Sequence, residues 1–409
     1  HPGVQLMQGA LDGIRVLDLS RILAGPWATQ MLADFGAEVI KIERPGCGDD
    51  TRNWGPPFVK DSAGQDSADA AYFHAANRGK QSVAVDITRP EGQALIQQLA
   101  AHCDVVVENF KVGGLQKYNL DYASLSAINP RLVYCSITGF GQSGPYRKRA
   151  GYDFMIQAMG GLMSVTGETE GAPMKVGVAQ VDLMTGLYAC NAIQAALLHR
   201  ARSGSGQHID LALLDVQVAT LANQGMNYLA SGKTPGRLGN AHPNIVPYQA
   251  FATADGHIIL AVGNDSQFVK FCELAGQPGL AFHPDFASNR TRVENRADLT
   301  PIIELLMSKQ SSNWWLEKLA ECGVPCGPIN TLEQVFADPQ VRHRQMQITL
   351  NHPDAGAVPS IANPIRFSAT PVQYPSAPPT LGQHSQQLQQ LLNLSDAQWQ
   401  ALKLNGIVA

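Results

Sequence analysis

From Gly13 to about Thr138 the chain alternates short apolar runs with helical segments, and this alternation constrains its fold more than any other feature. Gly13-Ile14-Arg15-Val16-Leu17-Asp18-Leu19 reads as a buried strand, and Pro26 then suits the first turn of a helix that ends near Gly36. Strands follow at 37–42, 81–87, 104–107 and 131–137, with a helix over about 90–101. Strands that alternate with helices pair in parallel, because each crossover returns the chain to the same end of the sheet. The expectation is an α/β fold, a Rossmann-like large domain with ligands at the carboxyl ends of its strands.

The remainder divides the chain further. Residues 45–77 are rich in Gly, Pro, Asp and Ser and read as a long irregular segment, a common place for function. From Asp182 to Arg202 the sequence is apolar or small on nearly every face, which predicts a buried helix. Beyond residue 225 the character changes. Two strand-like runs flank Ala254-Asp255-Gly256, a hairpin signal, and helices follow near 267–274 and 299–306. We therefore expect a large α/β domain over 11–224, a smaller α+β domain over 225–330, and a linker with a return to the large domain over 331–409.

With 409 residues, 44% hydrophobic, a large core is available, and a net charge of -4 argues against a nucleic-acid binder. The seven cysteines are odd in number and scattered, which fits a reducing, cytoplasmic setting better than a disulfide framework. Cys322 and Cys326 lack the further ligands of a zinc site, so no metal is expected. No apolar run approaches the roughly 18 residues that span a bilayer, and residues 1–10 lack the pattern of a signal peptide. Gly139-Phe140-Gly141-Gln142-Ser143-Gly144 matches G-x-G-x-x-G after a strand, but Pro145 and the basic run Arg147-Lys148-Arg149 replace the apolar helix of a dinucleotide site. Neither a G-x-S-x-G elbow nor an H-E-x-x-H pair occurs.

Asp182 opens the long apolar helix after a β-branched, small-residue approach. It reads either as a helix cap or as a carboxylate kept ionised at the positive end of a helix dipole and poised to react. Spacing alone favours the cap.

Several segments together resemble the family III CoA-transferases: Leu17-Asp18-Leu19-Ser20-Arg21 with Ala24-Gly25-Pro26, Gly36 to Gly46, Gly48-Asp49-Asp50-Thr51-Arg52, Asn77-Arg78-Gly79-Lys80-Gln81-Ser82, Val107-Glu108-Asn109-Phe110, and Ala150-Gly151-Tyr152-Asp153. Asp182-Leu183-Met184-Thr185-Gly186 falls where that family carries its catalytic aspartate. The resemblance implies that Asp182 forms aspartyl anhydride and aspartyl-CoA intermediates, and that Tyr152 and Asp153 line the active site. It implies CoA-phosphate binding by Arg44. Arg78, Lys80 and Arg149 are further candidates, for each of which a surface charge is an equal reading. It implies an interlocked homodimer, and acyl-CoA and a free acid as substrates with no tightly bound cofactor.

Asp50 to Phe58, Tyr134 to Gly139 and Ile245 to Phe251 are most similar to the subgroup that exchanges CoA between succinyl-CoA and glutarate. A dicarboxylate acceptor needs a partner for its unreacted end, for which Arg21 and His242 are the candidates. The glycine run of the formyl/oxalate subgroup is replaced by Gly239-Asn240-Ala241-His242-Pro243-Asn244. Two rival activities are an α-methylacyl-CoA racemase, which by resemblance has a His base where Tyr152 stands, and a noncatalytic acyl-CoA binder.

Overall fold

The computed structural model describes residues 9–409; the expectation for residues 1–10 falls almost wholly outside them. The chain divides into two compact units. One comprises the chain up to Gly160, Gly177–Thr220 and Pro339–Ala409; the other comprises Gly161–Val176 and Leu221–Asp338.

In the first unit the elements run β1 (Arg15–Asp18), α1 (Ala24–Asp34), β2 (Glu38–Glu43), β3 (Phe58–Lys60), β4 (Asp66–Ala70), α2 (Ala71–His74), β5 (Lys80–Ala84), α3 (Pro90–Ala100), β6 (Val105–Glu108), α4 (Tyr122–Ile128), β7 (Val133–Thr138), α5 (Asp153–Met159), α6 (Gln180–Ser203), β8 (Gln207–Ala212) and α7 (Leu213–Ala219). A six-stranded sheet runs in the order β5-β2-β1-β6-β7-β8, parallel throughout, as the alternation predicts. Its central strands are apolar on both faces: Val16, Val105 and Val107 join one core, and Leu17, Ile40 and Val106 the other. That burial is what helices on both sides of a parallel sheet require. Trp399, Ile407 and Val408 from the C-terminus complete the second core.

Residues 45–77 are less irregular than expected. They contain the β3–β4 hairpin and the short helix α2, anchored by buried Arg52, which bonds to Glu43 and to Asp69.

Helix α6 departs from expectation in two ways. It is long and apolar enough to cross a membrane by length and composition, contrary to the first reading. It is also not buried all round: Val181, Thr185, Ala189, Cys190 and Ile193 face the core, while Leu187, Tyr188 and Leu198 are exposed. Its inner face lies on α1, where Gly186 permits the contact; a Cβ there would stand 2.9 Å from the Ala24 carbonyl oxygen and from the Trp27 side chain.

The second unit holds α8 (Ala222–Ser231), β9 (Tyr248–Ala252), β10 (His257–Ala261), α9 (Asp265–Leu274), α10 (Asn289–Glu294), α11 (Arg296–Met307), α12 (Ser312–Glu321) and β11 (Cys326–Pro328). β9 and β10 pair as the predicted hairpin, and Phe251, Phe268, Phe271 and Trp315 fill this unit's own core. Gly161–Val176, expected in the large domain, belongs here instead. Gly239 N–H donates to the Gly167 carbonyl, and the Arg237 side chain donates to the Glu168 carbonyl.

Candidate active site

The start of α6 carries two carboxylates. Asp182 is the third residue of the helix, and its own side chain caps nothing. The capping role falls to Asp153, at the start of α5: its Oδ1 accepts from the N–H of Val181 at 2.7 Å and of Asp182 at 3.0 Å. Its Oδ2 accepts from Nε2 of the fully buried Gln157 at 2.6 Å. The approach that delivers Asp153 needs two glycines. A Cβ on Gly151 would lie 2.7 Å from the Gly139 Cα, so the loop before α5 crosses the end of β7 with no room for a side chain.

This corrects one expectation about Asp182. The helix-end N–H groups are spent on Asp153, so the dipole does not hold Asp182 ionised at low pH. Burial, and then the like charge of Asp153, push the Asp182 carboxyl up to about 7. Among the described residues no cation pairs with either carboxylate.

Two aromatic residues that the sequence reading missed belong here. Tyr72, on α2, has its hydroxyl pKa raised by burial and then by the charges of Asp182, Asp153 and Asp49. Trp54 packs edge-on against it, ring centroids 5.1 Å apart. Both lie in the Gly- and Pro-rich segment flagged as functional, but nothing in the local pattern singled them out. Tyr152 is 70% exposed beside Asp153.

A cavity of about 250 Å³ opens at the carboxyl ends of β1, β2, β5 and β6. Leu19, Ile42, Val85 and Ile87 form its apolar wall, with Phe110, Arg21 and Arg44 at the polar side. The Arg21 guanidinium lies over the Phe110 ring, 4.5 Å from its centroid. Arg21 and Arg44 are exposed, and among the described residues neither is in an ion pair. The structure thus brings Arg21 to Arg44.

The other cations go elsewhere. Arg78 is 5% exposed, bonded through two nitrogens to Asp34 at 3.0 and 2.8 Å and to the Ile361 carbonyl. Lys80 has no exposure and bonds to Asp18, the Pro26 carbonyl and Asn77. Both are corrections, because neither cation is open to a phosphate. Arg149 is exposed and stacks over Tyr146 at 4.0 Å, and it does not line the cavity. His242 belongs to the second unit. Its Nδ1 accepts from Asn244 N–H at 2.9 Å, so its Nε2 carries the proton.

Asp69, His74 and His352 place one donor atom each within 4.8 Å, a spacing that suits a metal. The chemistry does not. His352 Nδ1 accepts from the N–H groups of Asp354 and Ala355, which puts the ring proton on Nε2, and Asp69 already receives Arg52.

The model for CoA-transferase family III matches residues 11–385. Over 378 residues the chain is 54% identical to the succinate–glutarate CoA-transferase of Agrobacterium fabrum, covering 92% of this chain and 94% of that one. The mouse succinyl-CoA:glutarate CoA-transferase is 44% identical over 97% of this chain and 90% of its own length. Among solved structures, a CAIB/BAIF family protein from Brucella suis matches with a TM-score of 0.82 and 54% identity, over 94% of this chain and all of that one.

Proposed function

We propose that this chain, a CoA-transferase that belongs to family III, moves CoA from succinyl-CoA to glutarate or a dicarboxylate of similar length. The substrate assignment is supported by the names of the relatives at 54% and 44% identity.

The observation that carries the mechanism is Asp182: a half-buried carboxyl with no cation partner among the described residues, pushed up to about 7 by burial and by Asp153. Such a carboxylate is more basic than an exposed one, and so a better nucleophile. It attacks the thioester carbonyl of succinyl-CoA. The C–S bond breaks, CoA thiolate leaves, and a mixed aspartyl–succinyl anhydride remains. The thiolate then attacks the aspartyl carbonyl and displaces succinate, giving an aspartyl-CoA thioester. Glutarate attacks that carbonyl, thiolate leaves again, and a second mixed anhydride forms. Thiolate attack on its glutaryl carbonyl releases glutaryl-CoA and restores Asp182. Each step exchanges one activated acyl bond for another, so no nucleotide triphosphate is consumed. The anhydrides need a site closed to water. Asp153 holds the helix start that presents Asp182, and Tyr72 is close enough to feel the charge of both carboxylates.

We assign the Arg21–Arg44 cavity to CoA. Two exposed guanidinium groups, that of Arg21 lying over the Phe110 ring, suit phosphates and a base. Arg21 therefore passes from the acid to the CoA side. Exposed apolar side chains on α5 and α6, including Phe154, Met159, Leu187, Tyr188 and Leu198, support a homodimer that covers them. Seven free cysteines support a reducing compartment, the cytoplasm.

Incubation with succinyl-CoA and a panel of free acids, read by mass spectrometry, tests the reading. Glutarate is expected to accept CoA; rapid transfer to oxalate or acetate with glutarate inert overturns the substrate assignment.

A further inference from the structure

The turn that leaves β1 is held in a conformation its sequence does not favour. Ile22 has φ of 75°, in the left-handed region where a β-branched side chain crowds its own backbone. The restraint comes from side chains around the turn. Ser20 N–H donates to Asp18 Oδ1 at 2.9 Å, and the Ser20 carbonyl accepts from Lys41 Nζ at 2.9 Å. Arg21 N–H donates to Asn109 Oδ1 at 3.1 Å, and the Arg21 carbonyl accepts from Asn109 Nδ2 at 2.7 Å. Ile22 N–H lies 3.3 Å from both carboxylate oxygens of Asp49.

Lys41 and Asp49 also pair with each other at 2.9 Å, and neither side chain has any exposure. One buried ion pair thus grips the backbone on both sides of Arg21. A buried pair adds little stability over apolar residues of the same shape, so its value lies in what it fixes. Here it fixes the turn that carries Arg21 to the rim of the cavity shared with Arg44.

We propose that Lys41 and Asp49 are positioning residues: they hold the Ser20–Ile22 turn in its strained form and so set Arg21 to receive the anionic end of acyl-CoA. The proposal rests on the assignment of this cavity to CoA. Glycine would adopt the same φ without strain, so the clamp is needed because residue 22 is isoleucine. The rival is a purely structural role for Asp49, which also accepts from Thr51 N–H at 3.0 Å and Thr51 Oγ1 at 2.9 Å.

Epistasis separates the two, with the full-length enzyme and with succinyl-CoA and glutarate varied independently. With the preorganisation lost, Asp49→Asn should raise KM for succinyl-CoA about tenfold, with KM for glutarate within about twofold and kcat within about threefold. Adding Ile22→Gly to Asp49→Asn should bring KM for succinyl-CoA back to within about threefold of the parent, because a relaxed turn no longer needs the clamp. A double variant as poor as Asp49→Asn overturns the proposal. Should Asp49→Asn not fold, Ile22→Pro decides, because proline can neither reach positive φ nor donate to Asp49 while the ion pair stays intact. An unchanged KM for succinyl-CoA in Ile22→Pro overturns the clamp, and a selective rise supports it. Arg44→Ala tests the underlying assignment separately. If it leaves KM for succinyl-CoA unchanged, the cavity does not hold CoA and both readings fall. If it raises that KM while Ile22→Pro and Asp49→Asn do not, only the clamp falls.

Discussion

Two groups of carboxylates lie in the same unit and have opposite surroundings. Under the strand ends, Asp18, Asp49 and Glu43 are buried, which alone would raise their pKa values. Lys80 and Lys41 nevertheless hold Asp18 low, Arg52 holds Glu43 low, and Lys41 with Thr51 N–H holds Asp49 at about 2. At the start of α6, Asp182 and Asp153 have no cation partner among the described residues, and Asp182 is pushed up to about 7. Burial is common to both groups; the counter-ion is what differs. A paired carboxylate spends its charge on its partner and serves as scaffold. An unpaired one keeps its basicity and is available for covalent chemistry.

The contrast can be broken first at Asp182. Asp182→Ala should lower turnover by ~10³-fold or more, as loss of a covalent nucleophile does. It should leave the fold intact, because Asp153 does the capping. CoA exchange between acids and circular dichroism check both halves, and near-normal transfer sinks the contrast.

The scaffold side should respond in stability instead. Arg52→Met removes a buried partner of both Glu43 and Asp69, and stranding such charges costs about 3–5 kcal/mol in urea unfolding. A change under about 1 kcal/mol would mean these pairs are not the counterpart we describe.

Arg44→Ala separates binding from chemistry. Loss of a charge-assisted contact of about 1.5–3 kcal/mol should raise KM for acyl-CoA roughly tenfold to a hundredfold, with KM for the acid little changed. Equal rises in both would misplace the residue.

The smallest effects concern pH. In the proposed mechanism the attacking form of Asp182 is ionised, so kcat/KM should rise with pH through about 7, and Asp153→Asn, which keeps an oxygen to cap α6, should move that inflection to lower pH. The stability sign runs the other way. The Asp182 value of about 7 lies above its ordinary 3.8, so the folded protein holds a proton that the unfolded chain releases between those values. Stability from this group falls as pH rises through that window. Asp182→Asn should therefore be more stable than the parent at pH 8 and no more stable below pH 4. A parent–variant difference that does not grow with pH removes the raised pKa from the account.

The parallel sheet was legible because its signal is local: Val16, Ile40, Val83 and Val106 sit in short β-branched runs between helical segments. Asp182 was legible as a residue, through the motif it matches, but its state was not. Which carboxylate caps α6 depends on Gly139 and Gly151 letting two loops cross, and such long-range contacts leave no periodic trace. Arg78 and Lys80 were misread for the same reason. Their acceptors, Asp34 and Asp18, lie 44 and 62 positions away, and a cation in a motif looks the same whether it faces phosphate or a buried carboxylate. Tyr72 and Trp54 sit in a segment whose composition marked a loop, yet only the folded chain brings Tyr72 under the charge of Asp182 and Trp54 against Tyr72.

The central claim is that the unpaired carboxylate of Asp182 becomes covalently acylated. Hydroxylamine added during turnover with succinyl-CoA, followed by peptide mass spectrometry, tests it most directly. The account predicts a hydroxamate on Asp182 that forms only in the presence of acyl-CoA and is lost in Asp182→Asn. Continued turnover with no label on Asp182, or with the label on another residue, would contradict it.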